Sequence, residues 1–241
     1  MLYKTRGIVL KTTLYSENSV IVQLFTEKFG MQSYMISGVK KPRAKISMNM
    51  LQPLHLVEMV VYHKHNTSIQ RIKELRPSPV FKSIPYDIIK STMALFLNEV
   101  LYKSIRQQVT DEHLFEFIFN AVCWLDECGE ANVNFHLSFL LKLSMFLGFA
   151  PGTAIKSGEV YFDLREGAFK PVMPAHPHFL ENRDAEVFIS LFNLPFEKIG
   201  QIRSDNRMRR NILDKILIYY TLHTASFGDI RSHQVLEDVL S

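Results

Sequence analysis

Close alternation of apolar and polar positions governs the first 80 residues. TRGIVLKTTLY (5–15) is rich in β-branched residues, and SVIVQLFTE (19–27) and MQSYMISGV (31–39) keep the same rhythm. A period near two is that of a strand with one face buried. The joints carry turn chemistry: YSEN after the first run and TEKFG after the second, where Gly30 can supply a positive φ. LQPLHLVEMVVYHKH (51–65) and TSIQRIKELRP (67–77) supply two more strands, with HKHNTS as their turn. Five short antiparallel strands, with a long loop between the third and fourth, predict a small closed barrel of the OB type. An SH3-like barrel is the alternative.

From about residue 81 the spacing lengthens to that of helices. In PYDIIKSTMALFLNEVLYKSIRQQ (85–108), one side carries Ile88, Met93, Leu97, Val100, Leu101 and Ile105. TDEHLFEFIFNAVCWLDE (110–127) opens with Thr110 as a candidate N-cap and with acids in its first turn. NVNFHLSFLLKLSMFLGF (132–149) is apolar almost all round, as a central helix would be, and GFAPG stops it. Residues 151–182 are irregular, with a hairpin expected around Glu166 and Gly167. Helical spacing returns in RDAEVFISLFNL, RSDNRMRRNILDKILIYYTLHTAS and SHQVLEDVLS. The expected fold class is α+β in two modules. A five-stranded OB-fold barrel occupies 1–80, and a mostly α-helical domain occupies 81–241, with the hairpin-containing insertion at about 151–182.

Charge sharpens this division. The net charge of the 241 residues is only +4. Residues 1–80, however, hold twelve Lys and Arg against four Glu, a net of +8; the rest of the chain carries 16 against 20, a net of −4. Such asymmetry points to a polyanionic partner for the N-terminal module. The densest stretch is SGVKKPRAKIS (37–47), where Lys40, Lys41, Arg43 and Lys45 surround Pro42 and no acid intervenes. Aromatic residues interleave with these charges: Tyr3, Tyr15, Phe25, Phe29, Tyr34 and Tyr62. Cations that neutralise phosphates beside rings that stack on bases are the means of single-strand binding, although barrel core competes for the same rings.

Other chemistry is poorly represented. No glycine-rich phosphate loop and no G-x-S-x-G nucleophile motif occurs. The adjacent carboxylates Asp111–Glu112 and Asp126–Glu127 diverge on a helix and are expected to be first-turn charge or solvated face. Cys123 and Cys128 lack the spacing of a metal knuckle and are expected as buried thiols, which suits a reducing cytosol. His63 with His65, and His176 with His178, could each share a face, but no second ligand pair accompanies them. No metal, cofactor, catalytic residue or small-molecule substrate is expected. The N-terminus lacks a signal-peptide h-region and no run is long enough for a bilayer, so a cytoplasmic protein is expected.

The stretch TRGIVLKTTLYSENSVIVQLFTEKFGMQSYMISGVKKPRAK, followed by LQPL, resembles the RecO family of bacterial DNA repair proteins. LLKLSMFLGFAP and VYFDLREGAFKP extend the resemblance along nearly the whole chain. It implies an N-terminal OB fold, a helical C-terminal domain and no enzymatic activity. It also implies binding of single- and double-stranded DNA and annealing of complementary strands. With RecR, members help load RecA onto DNA covered by the single-strand binding protein SSB in the RecF pathway; some contact the acidic SSB tail. By position in the motif, Arg6, Lys40, Lys41, Arg43 and Lys45 would contact DNA, with Lys64, Arg71 and Lys73 extending the surface. A second cluster, Arg203, Arg207, Arg209 and Arg210, is a candidate dock for DNA or for an acidic tail, with Tyr220 and Phe227 as apolar anchors. Many members carry a four-cysteine zinc module after the segment matching Gly148–Pro151; here GTAIKSGEVYFDLREGAFKPVMPAHPHF has no cysteine. The competing readings are an RNA-binding or ribosome-associated OB protein, and a helical interaction protein that docks acidic partners.

Overall fold

The structure, a computed structural model, describes residues 1–64, 67–105, 110–130, 132–154, 160–225 and 227–241. The chain forms two compact units, Met1–Glu127 and Cys128–Ser241. The change of hydrophobic period near residue 80 marks the end of the barrel, whereas the first compact unit also takes in the next two helices.

Five strands close the barrel of the first unit: β1 (Leu2–Ser16), β2 (Ser19–Thr26), β3 (Gly30–Ser37), β4 (Leu56–Tyr62) and β5 (Ile69–Pro77). The order around it is β1-β2-β3-β5-β4, returning to β1, as in an OB fold. All neighbours run antiparallel except β3 and β5, which pair in parallel through Ser33–Ile69, Tyr34–Gln70 and Met35–Arg71. The period-two pattern fills the interior, with Val9, Val22, Leu24, Tyr34, Val57, Met59 and Val61 among the core residues. LQPL is not strand: a short 3-10 helix, Met48–Leu51, precedes a turn in which Leu54 has a φ of 63°. Pro53 there cannot donate to a ladder.

Helix α1 (Ile88–Ser104) is capped by Asp87, whose carboxylate accepts the Ile89 and Lys90 N–H groups. Met93, Leu97, Val100 and Leu101 are buried, but Ile88 is 68% exposed, because the first turn projects beyond the packed face. Asn98, midway along α1, ties the helix to the barrel. Its amide oxygen accepts the Leu54 N–H at 3.2 Å, and its nitrogen donates to the Leu10 carbonyl at 2.9 Å. Helix α2 (Glu112–Glu127) is capped by Asp111, which accepts the Leu114 N–H at 2.9 Å, and not by Thr110. Asp126 is not on a solvated face either. It is buried, and its carboxylate accepts the N–H groups of Lys82, Ser83 and Ile84. Burial pushes this carboxyl upward, but those donors, with Lys90, outweigh it and hold it below its ordinary range. Cys123 and Cys128 are half-buried; burial, with Glu127 and Asp126 nearby, pushes the Cys123 thiol up to about 11.

The second unit is built round α3 (Phe135–Phe146), which is buried on almost every side. Lys142, the charge within this apolar run, donates to the Phe192 carbonyl at 2.6 Å. A three-stranded sheet follows: β6 (Tyr161–Asp163), β7 (Ala168–Lys170) and β8 (Phe179–Glu181), in the order β7-β6-β8. Gly167 has a φ of 64°, and an added Cβ would meet the Tyr219 hydroxyl at 2.8 Å, so the hairpin requires glycine there. Asp163 organises this sheet: one carboxylate oxygen accepts the Arg165 and Glu166 N–H groups, and the other lies 3.3 Å from His176 Nε2. Helices α4 (Asn182–Asn193), α5 (Asn206–His223) and α6 (Ser232–Val239) complete the unit. No helix is long and apolar enough to cross a membrane among the described residues.

Candidate nucleic-acid interface

The loop after β3 is clamped at both ends by its own apolar residues. Val39 is 3% exposed and belongs to the barrel core, while Ile46, Met48 and Met50 pack against that core from the other end. Gly38, with a φ of 79°, turns the chain out of β3, and its N–H, with that of Val39, donates to the Asn18 carbonyl on the β1–β2 turn. Two further turns close within the loop, Lys41 N–H to Gly38 and Ala44 N–H to Lys41. The polar residues between these clamps have only one direction left, so Lys40, Lys41, Arg43 and Lys45 are all exposed.

The parallel pairing of β3 with β5 brings a second set of cations to this loop. Lys41, Arg43 and Lys45 line an open groove of about 530 Å³ together with Arg71 and Lys73 from β5. Met35, Ile36, Ile72 and Ile46 supply its apolar floor, and no carboxylate is among its described lining residues. Lys73 lies 3.4 Å from Glu74, an exposed pair worth at most about 1 kcal/mol, which leaves the ammonium available to a stronger anion. Five cations on one concave surface give it a positive potential able to attract the phosphates of a polyanion.

Three of the expected contact residues stand apart from the groove. Lys40 is exposed on the loop but does not line it, and Lys64 sits at the far end of β4. Arg6 is occupied internally. Its guanidinium hydrogen-bonds Glu27 at 3.0 Å and also Glu116, and lies over the rings of Phe115 and Phe119 at 5.2 and 4.9 Å. The Glu27 bond is the main reason its proton is held well above the ordinary range, against the opposing effect of burial. A phosphate at Arg6 would have to displace two carboxylates already in place, so Arg6 is a structural tie between β1 and α2.

The aromatic residues divide in the same way. Phe25 and Tyr34 are core, and Tyr3 packs edge-on against Phe29 at 5.4 Å. Phe29 in turn stacks on His63 at 4.0 Å. Tyr15 and Tyr62 alone of the six are exposed. His65 lies outside the described residues. Among the described residues, no group of three or more His, Cys, Asp or Glu is placed to hold a metal ion.

In the second unit, Arg203, Arg207 and Arg210 are exposed around the start of α5. Tyr220 and Phe227 are not surface anchors. Tyr220 is fully buried with its hydroxyl donating to the Leu140 carbonyl at 2.7 Å, and Phe227 is 2% exposed against the Tyr220 ring. Beside Arg210 lies a small recess lined by Leu213, Leu236, Leu240, His136 and Glu237; Leu213 and Leu236 are buried, Leu240 is partly exposed, and a Glu237 carboxylate oxygen lies 3.9 Å from Arg210. Periodicity on α5 could not locate that recess, because Leu236 and Glu237 come from α6 and His136 from α3.

Comparison with known proteins agrees with this architecture. Residues 1–81 match the family model described as recombination protein O N terminal, and 85–228 match recombination protein O C terminal. The chain is 35% identical to a DNA repair protein RecO of Azobacteroides pseudotrichonymphae over 239 residues, 99% of each chain. It is 35% identical to one of Bacteroides fragilis over 240 residues, 99% of each. A Flavobacterium psychrophilum RecO matches at 35% over 245 residues, 100% of each chain. With barrel, helical region and full-length similarity in agreement, the chain belongs to the RecO family of DNA repair and recombination proteins.

Proposed function

We propose that this protein binds single- and double-stranded DNA through the groove between the β3–β4 loop and β5, anneals complementary strands, and acts with RecR to load RecA onto SSB-coated DNA in the bacterial cytoplasm. The observation that carries the reading is the convergence of Lys41, Arg43, Lys45, Arg71 and Lys73 on a surface without a lining carboxylate. Annealing needs a surface that screens repulsion between two phosphate backbones while leaving the bases free to pair. A cationic track does this without any catalytic group, so the role is mediation by binding.

The test is fluorescence anisotropy of a labelled single-stranded oligonucleotide over a salt series. Replacing Lys41, Arg43 and Lys45 with Glu is expected to make the plot of log K against log salt shallower by about 2, at roughly 0.7 per phosphate contact. Annealing of complementary strands should fall in the same variant. Equal slopes for the two proteins would exclude the groove as the DNA path.

The face around Arg210 suits an acidic, apolar-ended peptide such as the SSB tail: exposed Arg203, Arg207 and Arg210 supply charge, and the partly exposed Leu240 supplies apolar contact. Glu substitutions at Arg207 and Arg210 should weaken binding of a tail peptide at least tenfold by calorimetry. Unchanged affinity would remove this surface from the proposal.

A further inference from the structure

Strand register places one aromatic ring beside the cationic groove. Leu2 of β1 pairs with Tyr62 of β4, Tyr62 with Arg71 of β5, and Arg71 with Met35 of β3. Directly paired residues project to the same side of a sheet, and neighbouring strands lie about 4.8 Å apart. These four side chains therefore form a single row across the barrel wall. The rows on either side point inward: Val61 on one side is fully buried, and on the other Tyr34 is fully buried and its partner Gln70 is 3% exposed. The row of Tyr62 is thus the outer one, and its far end, Arg71 and Met35, lines the groove.

Tyr62 keeps 44% of its surface exposed, between Leu2 at 48% and its diagonal neighbour Ile69 at 40%. An apolar strip on an outer wall costs hydrophobic free energy in the free protein. Its placement one strand from the cationic groove gives that exposure a use. The wall offers a ring face flanked by aliphatic side chains, at one end of a row whose other end is cationic.

We infer that Tyr62 is a base-stacking residue, which adds to the groove a contact that only an unpaired strand can make. This rests on the phosphate-binding reading of the groove. Arg71 and its neighbours hold the backbone, which turns a base of the same strand outward onto the Tyr62 ring. Only an unpaired base can present its face to the ring, since in a duplex the faces are covered by stacked neighbours. Stacking of this kind is tolerant of sequence, because every base has a π-face.

Anisotropy with three probes tests the inference: oligo(dT), an abasic oligodeoxynucleotide of equal length, and a duplex. Tyr62→Ala is expected to bind oligo(dT) about tenfold more weakly. Its affinity for the abasic strand and the duplex should match that of the wild type, and its salt slope should not change. Tyr62→Phe, which keeps the ring, should retain wild-type binding. If Tyr62→Ala binds oligo(dT) as tightly as wild type while the Lys41/Arg43/Lys45→Glu protein loses affinity, stacking is excluded and the groove stands. An equal loss on oligo(dT) and on the abasic strand would also overturn stacking, by assigning Tyr62 to the shape of the wall. If the Glu protein binds every probe like wild type, the groove reading falls and the inference falls with it. Wild type binding the abasic strand as well as oligo(dT) would overturn the inference without any variant.

Discussion

Arg6 and the cations of the groove share a charge but not a role. What separates them is the number of carboxylates within reach. Arg6 has Glu27 and Glu116 and the faces of two phenylalanine rings, whereas Lys41, Arg43 and Lys45 have no carboxylate lining their surface. Arg6→Ala should therefore lower the stability of the first unit by about 2 kcal/mol in urea unfolding followed by Trp124 fluorescence. The salt dependence of DNA binding should stay as in wild type; a slope shallower by about 0.7 would instead return Arg6 to the DNA path. Asp126 is a comparable case with opposite charge. Its neighbour Glu127 made it resemble surface acid, yet it accepts three backbone N–H groups of the segment that precedes α1.

At the scale of elements, periodicity carried the reading as far as it could. Alternation placed all five strands, because each buries one face and leaves the other wet. The 3.6-residue spacing placed the helices, because each has a packed face, or in α3 an all-round one. The signal failed where a proline or a left-handed residue interrupted it, as at Pro53 and Leu54. It also failed for β8, three residues long and too short to show a period. The cationic loop was visible as four charges in six positions. Its union with Arg71 and Lys73 depends on the β3–β5 register, a contact between residues nearly forty apart that no local pattern encodes. The absence of cysteine from 151–182 was plain in the sequence, but not the interaction that helps to organise this segment. That interaction is between Asp163 and His176, thirteen positions apart across β7.

Across the whole molecule, acid should affect the two units unequally. His136 on α3 is completely buried, and burial, reinforced by Arg209, lowers its pKa from 6.5 to about 3. A histidine held neutral in the folded state stabilises it fully above the unfolded pKa, and that contribution is lost as pH falls from about 6.5 toward 3. At pH 5 the loss should be about 2 kcal/mol in the second unit. The first unit has His55, also lowered by burial but less completely enclosed, while the depressed carboxyls Glu27 and Asp126 weaken it only at lower pH. Hydrogen exchange of α3 amides, corrected for intrinsic rate, should show protection falling between pH 6.5 and 5, and His136→Gln should abolish most of that pH dependence. Protection that stays constant over this range in wild type would contradict a neutral His136.

Two seams join the halves of the barrel: β1 with β4, Leu2–Ile8 against Leu56–Tyr62, and a shorter parallel one, Ser33–Met35 against Ile69–Arg71. β1, β2 and β3 follow one another through tight turns, and β4 and β5 form a second local hairpin, so both sub-assemblies cost little chain entropy to form. Both seams need long-range closure, and the parallel one, with three residue pairs against seven, is the weaker join of the ring. The groove takes its walls from both sides of that seam and does not exist before closure. On the proposed reading, affinity for a nucleic-acid strand is therefore also a measure of how completely the barrel has shut, and a bound strand would act as a clasp across the join.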